Sequence, residues 1–262
     1  MTILEEIIAN TKKEVAERKT NYNISQLEAS SYFKRDVLPS LKAHLLDSSK
    51  SGIISEIKKK SPSKGIINDK LSVEEVALAY QASGASAISV LTDFNYFGGK
   101  MEYLTSVKEK VQIPILRKDF MVDEYQIIEA KSIGADIILL IAAALEPKKL
   151  ETLAKLAKSI GLEVLMEVHN EEELNRSLNP YLDVIGVNNR NLKTFEVSIQ
   201  NSIDLAEKIP NEFLKISESG LKDAQTILKL KSVGYQGFLI GETFMKTDNP
   251  GKTLAELTKE IS

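Results

Sequence analysis

Ser132-Ile133-Gly134-Ala135-Asp136-Ile137-Ile138-Leu139-Leu140-Ile141 is the passage on which the fold turns. It leaves a helical pattern through a glycine, the residue suited to a left-handed helix cap, and enters a short β-branched run. The passage recurs as Ser83-Gly84-Ala85 and Ser159-Ile160-Gly161-Leu162, and in varied form as Ser232-Val233-Gly234-Tyr235. A unit of helix, glycine and strand is therefore repeated along the chain.

Working outward, eight such runs can be read: Ile53 to Lys58, Ala85 to Leu91, Ile113 to Lys118, Ala135 to Ile141, Leu162 to Val168, Val184 to Asn188, Phe213 to Glu218 and Gly237 to Gly241. Between them the spacing predicts helices over Ser72 to Ser83, Asp123 to Ile133, Pro147 to Ile160, Ser198 to Lys208 and Lys222 to Val233, with Pro147 suited to a first helical turn. Strands alternating with helices, without a glycine-rich dinucleotide turn, favour an α/β fold of the closed (β/α)8 TIM-barrel type over an open doubly wound sheet. A length of 262 residues suits one such domain over residues 1–262.

Residues 1–50 read differently, as an N-terminal helical extension. Ile3, Leu4, Ile7, Ile8 and Val15 mark an apolar stripe, and Phe33 to Leu46 reads as a second helical stretch. The extension has two readings, a lid across the barrel mouth or a plug that closes one barrel face, and the lid carries more weight.

Composition narrows the chemistry. Hydrophobic residues make up 43% and charged residues 27%, which suits a folded core. With 34 basic and 37 acidic residues the net charge is -3, so no overall field attracts nucleic acid or membrane, and any anion must be held by a local constellation. The absence of cysteine excludes disulfides, thiolate nucleophiles and thiolate metal sites. His44 and His169 are the only histidines, too few and too far apart for a histidine-rich metal site, and His169 reads as a helix-start or surface residue. The acidic start and the lack of a long apolar run argue against secretion and membrane insertion, making the cytoplasm the compatible compartment. For assembly, a monomer or a weak homodimer is expected.

Parallel barrels build their sites where strands end, and polar residues gather there. The first run ends Glu56-Ile57-Lys58, whose period of two turns Glu56 and Lys58 to one side, into the mouth. The third ends Lys118-Asp119, the fifth carries Glu167, the sixth ends at Asn188 with Arg190 two residues on, and the seventh ends Glu218-Ser219-Gly220. Lysines beside carboxylates suit general acid and base work, and nothing suggests a redox reaction. Gly220 and the run Gly241-Glu242-Thr243 put backbone amides within reach of a ligand after the last two strands, where barrels cradle phosphate; Ser61 and Lys58 lie opposite.

The residues that carry this reading also form ordered motifs: Ser55-Glu56-Ile57-Lys58-Lys59-Lys60-Ser61-Pro62-Ser63, Leu116-Arg117-Lys118-Asp119-Phe120, Leu165-Met166-Glu167-Val168-His169, Ile185-Gly186-Val187-Asn188-Asn189-Arg190-Asn191-Leu192 and Ser217-Glu218-Ser219-Gly220. Together, over nearly the whole length and including the N-terminal segment, they resemble indole-3-glycerol phosphate synthases. The resemblance implies ring closure of 1-(2-carboxyphenylamino)-1-deoxyribulose 5-phosphate with loss of carbon dioxide and water, without cofactor or metal. It implies Lys118 as the general acid, Glu167 as its carboxylate counterpart in dehydration, and Lys58 as a contact to the substrate carboxylate or a second acid. Glu56 would orient the lysines. Asn188 and Arg190 would hold hydroxyls and the anthranilate carboxylate, with Glu218 and Ser219 near the ribulose portion. Phosphate would sit among Ser61, Gly220, Gly241, Glu242 and Thr243, and the aromatic ring among Leu91, Phe120 and Leu192.

Four positions depart from the family pattern: Lys59 where arginine is frequent, Ser217 where a small apolar residue is frequent, and Glu242 and Thr243 in the phosphate turn. A glutamate there requires its side chain to turn away from the phosphate. Two cations facing one mouth predict a lowered pKa for Lys118. The competing readings are a Schiff-base aldolase using Lys118 or Lys58 and a non-catalytic sugar-phosphate sensor.

Overall fold

The structure, a computed structural model, describes residues 2–192 and 194–262. Eight parallel strands close on one another: β1 Ile53–Ile57, β2 Ala87–Leu91, β3 Ile115–Lys118, β4 Ile137–Ile141, β5 Glu163–Val168, β6 Val184–Asn188, β7 Leu214–Glu218 and β8 Gly237–Ile240. Each pairs with the next, and β8 returns to β1 through Ile53 opposite Phe238. The (β/α)8 expectation therefore holds, with strand limits within about two residues. Gly84, Gly134, Gly161 and Gly234 all take positive φ, so the repeated glycine is the left-handed cap between helix and strand.

Alternation sorts the strands into two cores. Ile54, Ala87, Leu116, Ile137, Leu139, Leu165, Val184, Ile216 and Leu239 fill the barrel. Their neighbours, among them Ile53, Ile88, Ile115, Ile138, Val164, Ile185 and Phe238, pack outward against the helices. The same parity aims Glu56, Lys118, Glu167, Asn188 and Glu218 into the barrel, at the end where the strands finish.

Twelve α-helices are described. Those before the barrel are α1 Ile3–Asn21, α2 Ile24–Glu28 and α3 Leu41–Leu46. Then follow α4 Val73–Ala82, α5 Met101–Lys108, α6 Glu124–Ser132, α7 Pro147–Ser159, α8 Glu171–Ser177, α9 Gln200–Leu205, α10 Ala224–Ser232, α11 Glu242–Met245 and α12 Pro250–Ile261. The expected helix over Phe33 to Leu46 is shorter than its pattern suggested: only Leu41–Leu46 is helical. Ser40 begins it as the N-cap, and Pro39 just before it disfavours helical geometry in its predecessor, Leu38.

Different segments of the extension lie at opposite ends of the barrel. Helix α1 lies at the mouth, where Ile3, Leu4 and Ile7 line the cavity, Tyr96 donates to Glu6 (3.0 Å), Asn95 to Glu14 (2.8 Å) and Arg18 pairs with Glu129 (2.8 Å). The chain then descends past α6, with Ser30 donating to the Ser132 carbonyl and Arg35 pairing with Asp136. At the bottom, Leu41 and Leu45 of α3 join the interior core and plug the barrel.

Candidate active site

The strand ends converge on one ammonium. Lys118 Nζ lies 2.6 Å from Glu218 Oε2, 3.6 Å from Glu167 Oε2 and 3.8 Å from Glu56 Oε2. Glu56 Oε1 pairs with Lys58 at 2.6 Å, and Asn188 Nδ2 donates to Glu167 Oε1 at 3.1 Å. The three carboxylates are almost fully buried, at 1–5% exposure, whereas the two lysines keep 15–20%. The ionisable groups thus lie in the floor of a cavity of about 420 Å³, and every site residue singled out above lines it.

Two glycines make room for this packing. A Cβ on Gly186 of β6 would lie 2.5 Å from Glu218 Oε1, and one on Gly241 after β8 would lie 2.5 Å from Glu56 Oε1. Each glycine sits at an inward position next to a strand that carries a carboxylate, so the carboxylates occupy space that a side chain would fill.

The electrostatics follow from burial and crowding. Burial opposes the charge on Lys118, yet Glu218, Glu56 and Glu167 outweigh it and push its pKa above the ordinary lysine range. This reverses the lowered value expected from a second cation: Lys58 is nearby, but Glu56 contacts both ammoniums. Burial raises Glu218 to about 7, Lys118 opposing and the charges of Glu167 and Glu56 reinforcing the rise. Glu56 goes the other way; Lys58 and Lys118 overcome its burial and lower it.

The phosphate-side residues are arranged by backbone strain and a short helix. Ser219 (φ 68°) and Gly220 (φ 77°) turn left-handed in succession. For a serine this costs about 1 kcal/mol or more. The turn is held from behind: Asn189 Nδ2 donates to Ser219 O (3.1 Å) and Ser217 Oγ (2.9 Å), while Ser202 Oγ lies 2.8 Å from both Ser217 Oγ and Asn189 Oδ1. Ser217, a departure from the family pattern, is thus part of a buried hydrogen-bond network that fixes the loop. Gly241 begins α11, the short helix whose first residues are Glu242 and Thr243. Glu242 Oε1 lies 4.0 Å from Lys64 Nζ, and Thr243 Oγ1 donates to the Leu221 carbonyl at 2.9 Å. The glutamate is therefore directed toward a lysine of the loop after β1.

Several cavity residues escaped the sequence reading. Lys64, Lys222 and Lys246 add cations around the phosphate-side turns, and Phe97 stands 6.1 Å from Phe120, ring to ring, extending the apolar slot. Ile3, Leu4 and Ile7 reach the site only because α1 folds back over the mouth. Of the two readings of His169 the helix start holds, since it directly precedes Asn170, the N-cap of α8, and the surface one is corrected: its side chain is only 10% exposed, with Nε2 3.4 Å from Glu167 Oε1 and Nδ1 3.1 Å from Glu173 Oε2. Strand parity was the available signal, since residues 167 and 169 fall on one side.

The indole-3-glycerol phosphate synthase family model matches residues 4–257. The chain belongs to the indole-3-glycerol phosphate synthase family. A protein named indole-3-glycerol phosphate synthase from Bacteroides thetaiotaomicron is 47% identical over 266 residues, spanning 99% of this chain and 98% of that one. Solved structures share the fold at much lower identity. A 3-hexulose-6-phosphate synthase from Salmonella typhimurium matches with a TM-score of 0.65 at 12% identity, covering 80% of this chain and 97% of its own. A thiamine phosphate pyrophosphorylase from Pyrococcus furiosus matches at 0.60 and 16%, covering 80% and 94%. Membership of the indole-3-glycerol phosphate synthase family places the chain among the carboxy-lyases of tryptophan biosynthesis. Among the described residues, no helix is long and apolar enough to cross a membrane.

Proposed function

We propose that this chain closes the pyrrole ring of indole-3-glycerol phosphate from 1-(2-carboxyphenylamino)-1-deoxyribulose 5-phosphate, releasing carbon dioxide and water, with Lys118 as general acid and Glu167 as general base. The observation that carries this reading is one charged ammonium among three buried carboxylates at the floor of a cavity of ligand size.

In the first step the aromatic carbon bearing the carboxylate attacks the substrate carbonyl, and Lys118 delivers a proton to the oxygen as it becomes an alcohol. The developing negative charge is thus met by a fixed cation where little water competes. Loss of carbon dioxide restores the aromatic ring. In the dehydration the hydroxyl leaves with a proton from a lysine ammonium, and Glu167 accepts the proton lost from the ring system. Glu218, near 7 and 2.6 Å from Lys118, is suited to return a proton to the spent acid. Lys58, steered by Glu56, binds the substrate carboxylate or acts as the second acid.

Asn188, which donates to Glu167, and Arg190, whose backbone amide donates to Asn188 Oδ1 (3.0 Å), form the polar wall for hydroxyls and carboxylate. Leu91, Phe120 and Leu192 form the aromatic slot. The phosphate sits between Ser61 and the turns at Ser219-Gly220 and Gly241-Glu242-Thr243, where backbone amides and the start of a short helix favour an anion. Because Lys118 is held protonated, the Schiff-base reading is disfavoured: an amine nucleophile must first lose its proton. The sensor reading has no use for a matched acid and base.

The test is the rise of indole fluorescence when purified protein meets the carboxyphenylamino deoxyribulose phosphate. Turnover is expected in the natural chain and a fall of about a thousandfold or more in Lys118→Ala. Absence of turnover in the natural chain sinks the assignment.

A further inference from the structure

His169 is an ionisable side chain beside Glu167 that the reaction above does not use. It lies just beyond β5, two residues after Glu167 and on the same inward side. Glu173 Oε2 accepts from the His169 backbone amide at 2.8 Å and lies 3.1 Å from Nδ1. A carboxylate can only accept, so Nδ1 carries a proton. Asn170 Nδ2 holds the other oxygen of Glu173 at 2.9 Å, which fixes the carboxylate and therefore the ring. Nε2 is buried without a hydrogen-bond partner among the described residues, and the nearest acidic oxygen is Glu167 Oε1 at 3.4 Å.

The two oxygens of Glu167 thus face different partners. Oε2 faces Lys118 and Oε1 faces His169, with Asn188 donating to Oε1 as well. We propose that His169 is a positioning residue for the reaction: clamped by Glu173, its imidazolium sets the orientation and charge of Glu167 through the oxygen that Lys118 does not use. The inference rests on the reading of Glu167 as the proton acceptor.

Glu56 and Glu218 crowd Glu167 with like charge, and Lys118 is already shared by all three carboxylates, so a second positive group at Oε1 offsets repulsion that Lys118 alone leaves. The groups facing the imidazole are Glu167 on β5, Glu173 on α8 and, farther off, Glu218 on β7. Burial works against its charge, but Glu173, Glu167 and Glu218 together raise its pKa above the ordinary histidine value, which favours the charged ring beside Glu167. The same contact lowers Glu173.

Two readouts separate this from a merely structural histidine. The first is the pH–rate profile. His169→Asn keeps a donor near Nδ1 but loses the contact to Glu167; the acidic limb of kcat should move up by about one pH unit, with kcat roughly tenfold lower at pH 6, under threefold lower at pH 8.5, and KM within about twofold. His169→Gln reaches toward Glu167 with a neutral donor, so it should recover kcat at high pH while the limb stays displaced. The second readout needs no turnover. With only two histidines in the chain, 15N-histidine spectra contain His169 and His44; Glu167→Gln should lower the His169 titration midpoint by about half a unit or more and leave His44 unmoved. A His169 midpoint unchanged in Glu167→Gln, or a kcat lowered equally at every pH in His169→Asn, overturns the proposal. Failure of the underlying reading looks different, as a natural chain that does not turn over; the spectra then still decide whether His169 and Glu167 are coupled.

Discussion

Strand β5 begins with one glutamate, Glu163, and carries a second, Glu167, one residue before its end, and the two ends of the barrel use the residue in opposite ways. At the bottom, Glu163 accepts from Ser40 Oγ, Leu41 N (2.7 Å) and Lys42 N (3.3 Å), so its oxygens are spent on starting the helix that plugs the barrel. At the mouth, Glu167 is surrounded by side chains, Lys118, Asn188 and His169, around an open cavity. A carboxylate paired with backbone amides at a helix start contributes stability. One held between ionisable side chains can exchange protons.

The largest expected effect tests that contrast directly. Glu167→Gln should lower kcat about a hundredfold to ten-thousandfold while barely moving the melting temperature, and Glu163→Gln should cost about 1–2 kcal/mol of stability with kcat unchanged. Parallel kinetics and denaturant unfolding measure both; a Glu163→Gln protein of full stability would erase the distinction.

The next effect concerns the sign of pH dependence at the mouth. Glu218 is raised from 4.5 to about 7, so the folded state favours its protonated form, and that contribution to stability is present below about 4.5 and lost as pH rises through about 7. Glu218→Gln is neutral throughout. Between pH 5 and pH 8.5 the natural chain should therefore lose up to about 3 kcal/mol more than the variant, read by urea unfolding at the two pH values. Equal losses would mean that the buried carboxyl does not hold the extra proton.

Gly186→Ala sharpens the same comparison through packing. The added methyl meets Glu218 Oε1 at 2.5 Å and Leu165 Cδ1 at 3.1 Å, so the carboxyl must shift from its place beside Lys118. A kcat lowered roughly thirtyfold and a loss of about 1–3 kcal/mol are expected. Unchanged kcat would remove Glu218 from the catalytic set. The smallest effect is at α1: if it serves as a lid, deletion of residues up to Thr20 should raise KM about tenfold, more than it disturbs the melting temperature. The buried positions Ile7, Thr11 and Val15 and the Arg18–Glu129 pair ensure that some stability is lost as well, and a melting temperature that collapses with KM intact would assign α1 to stability alone.

Local sequence chemistry made the barrel legible. Glycine caps recur ahead of the strands because only a left-handed turn takes the chain from helix to strand in so few residues, and parity carries Glu56, Lys58, Lys118, Glu167, Asn188 and Glu218 inward once the strands are placed. The surface alternative for His169 fails because strand parity continues past β5, making it the next inward residue after Glu167, with Glu173 closing on its other side. The Phe33 to Leu46 stretch was overextended because apolar spacing alone does not reveal where Pro39 and the Ser40 cap begin the helix.

The sequence by itself determined the repeat, the identity of the strand-end residues and, through their order, the family, because these depend on periodicity and residue type along the chain. The tertiary structure alone decided that α1 covers the mouth while α3 plugs the bottom, that Gly186 and Gly241 make room for carboxylates from neighbouring strands, and that Lys118 is held charged rather than relaxed toward neutrality. Each of those depends on distances between residues remote in sequence: Lys118 and Glu218 are 100 positions apart in the chain and 2.6 Å apart in space, where burial and Coulomb attraction set their protonation.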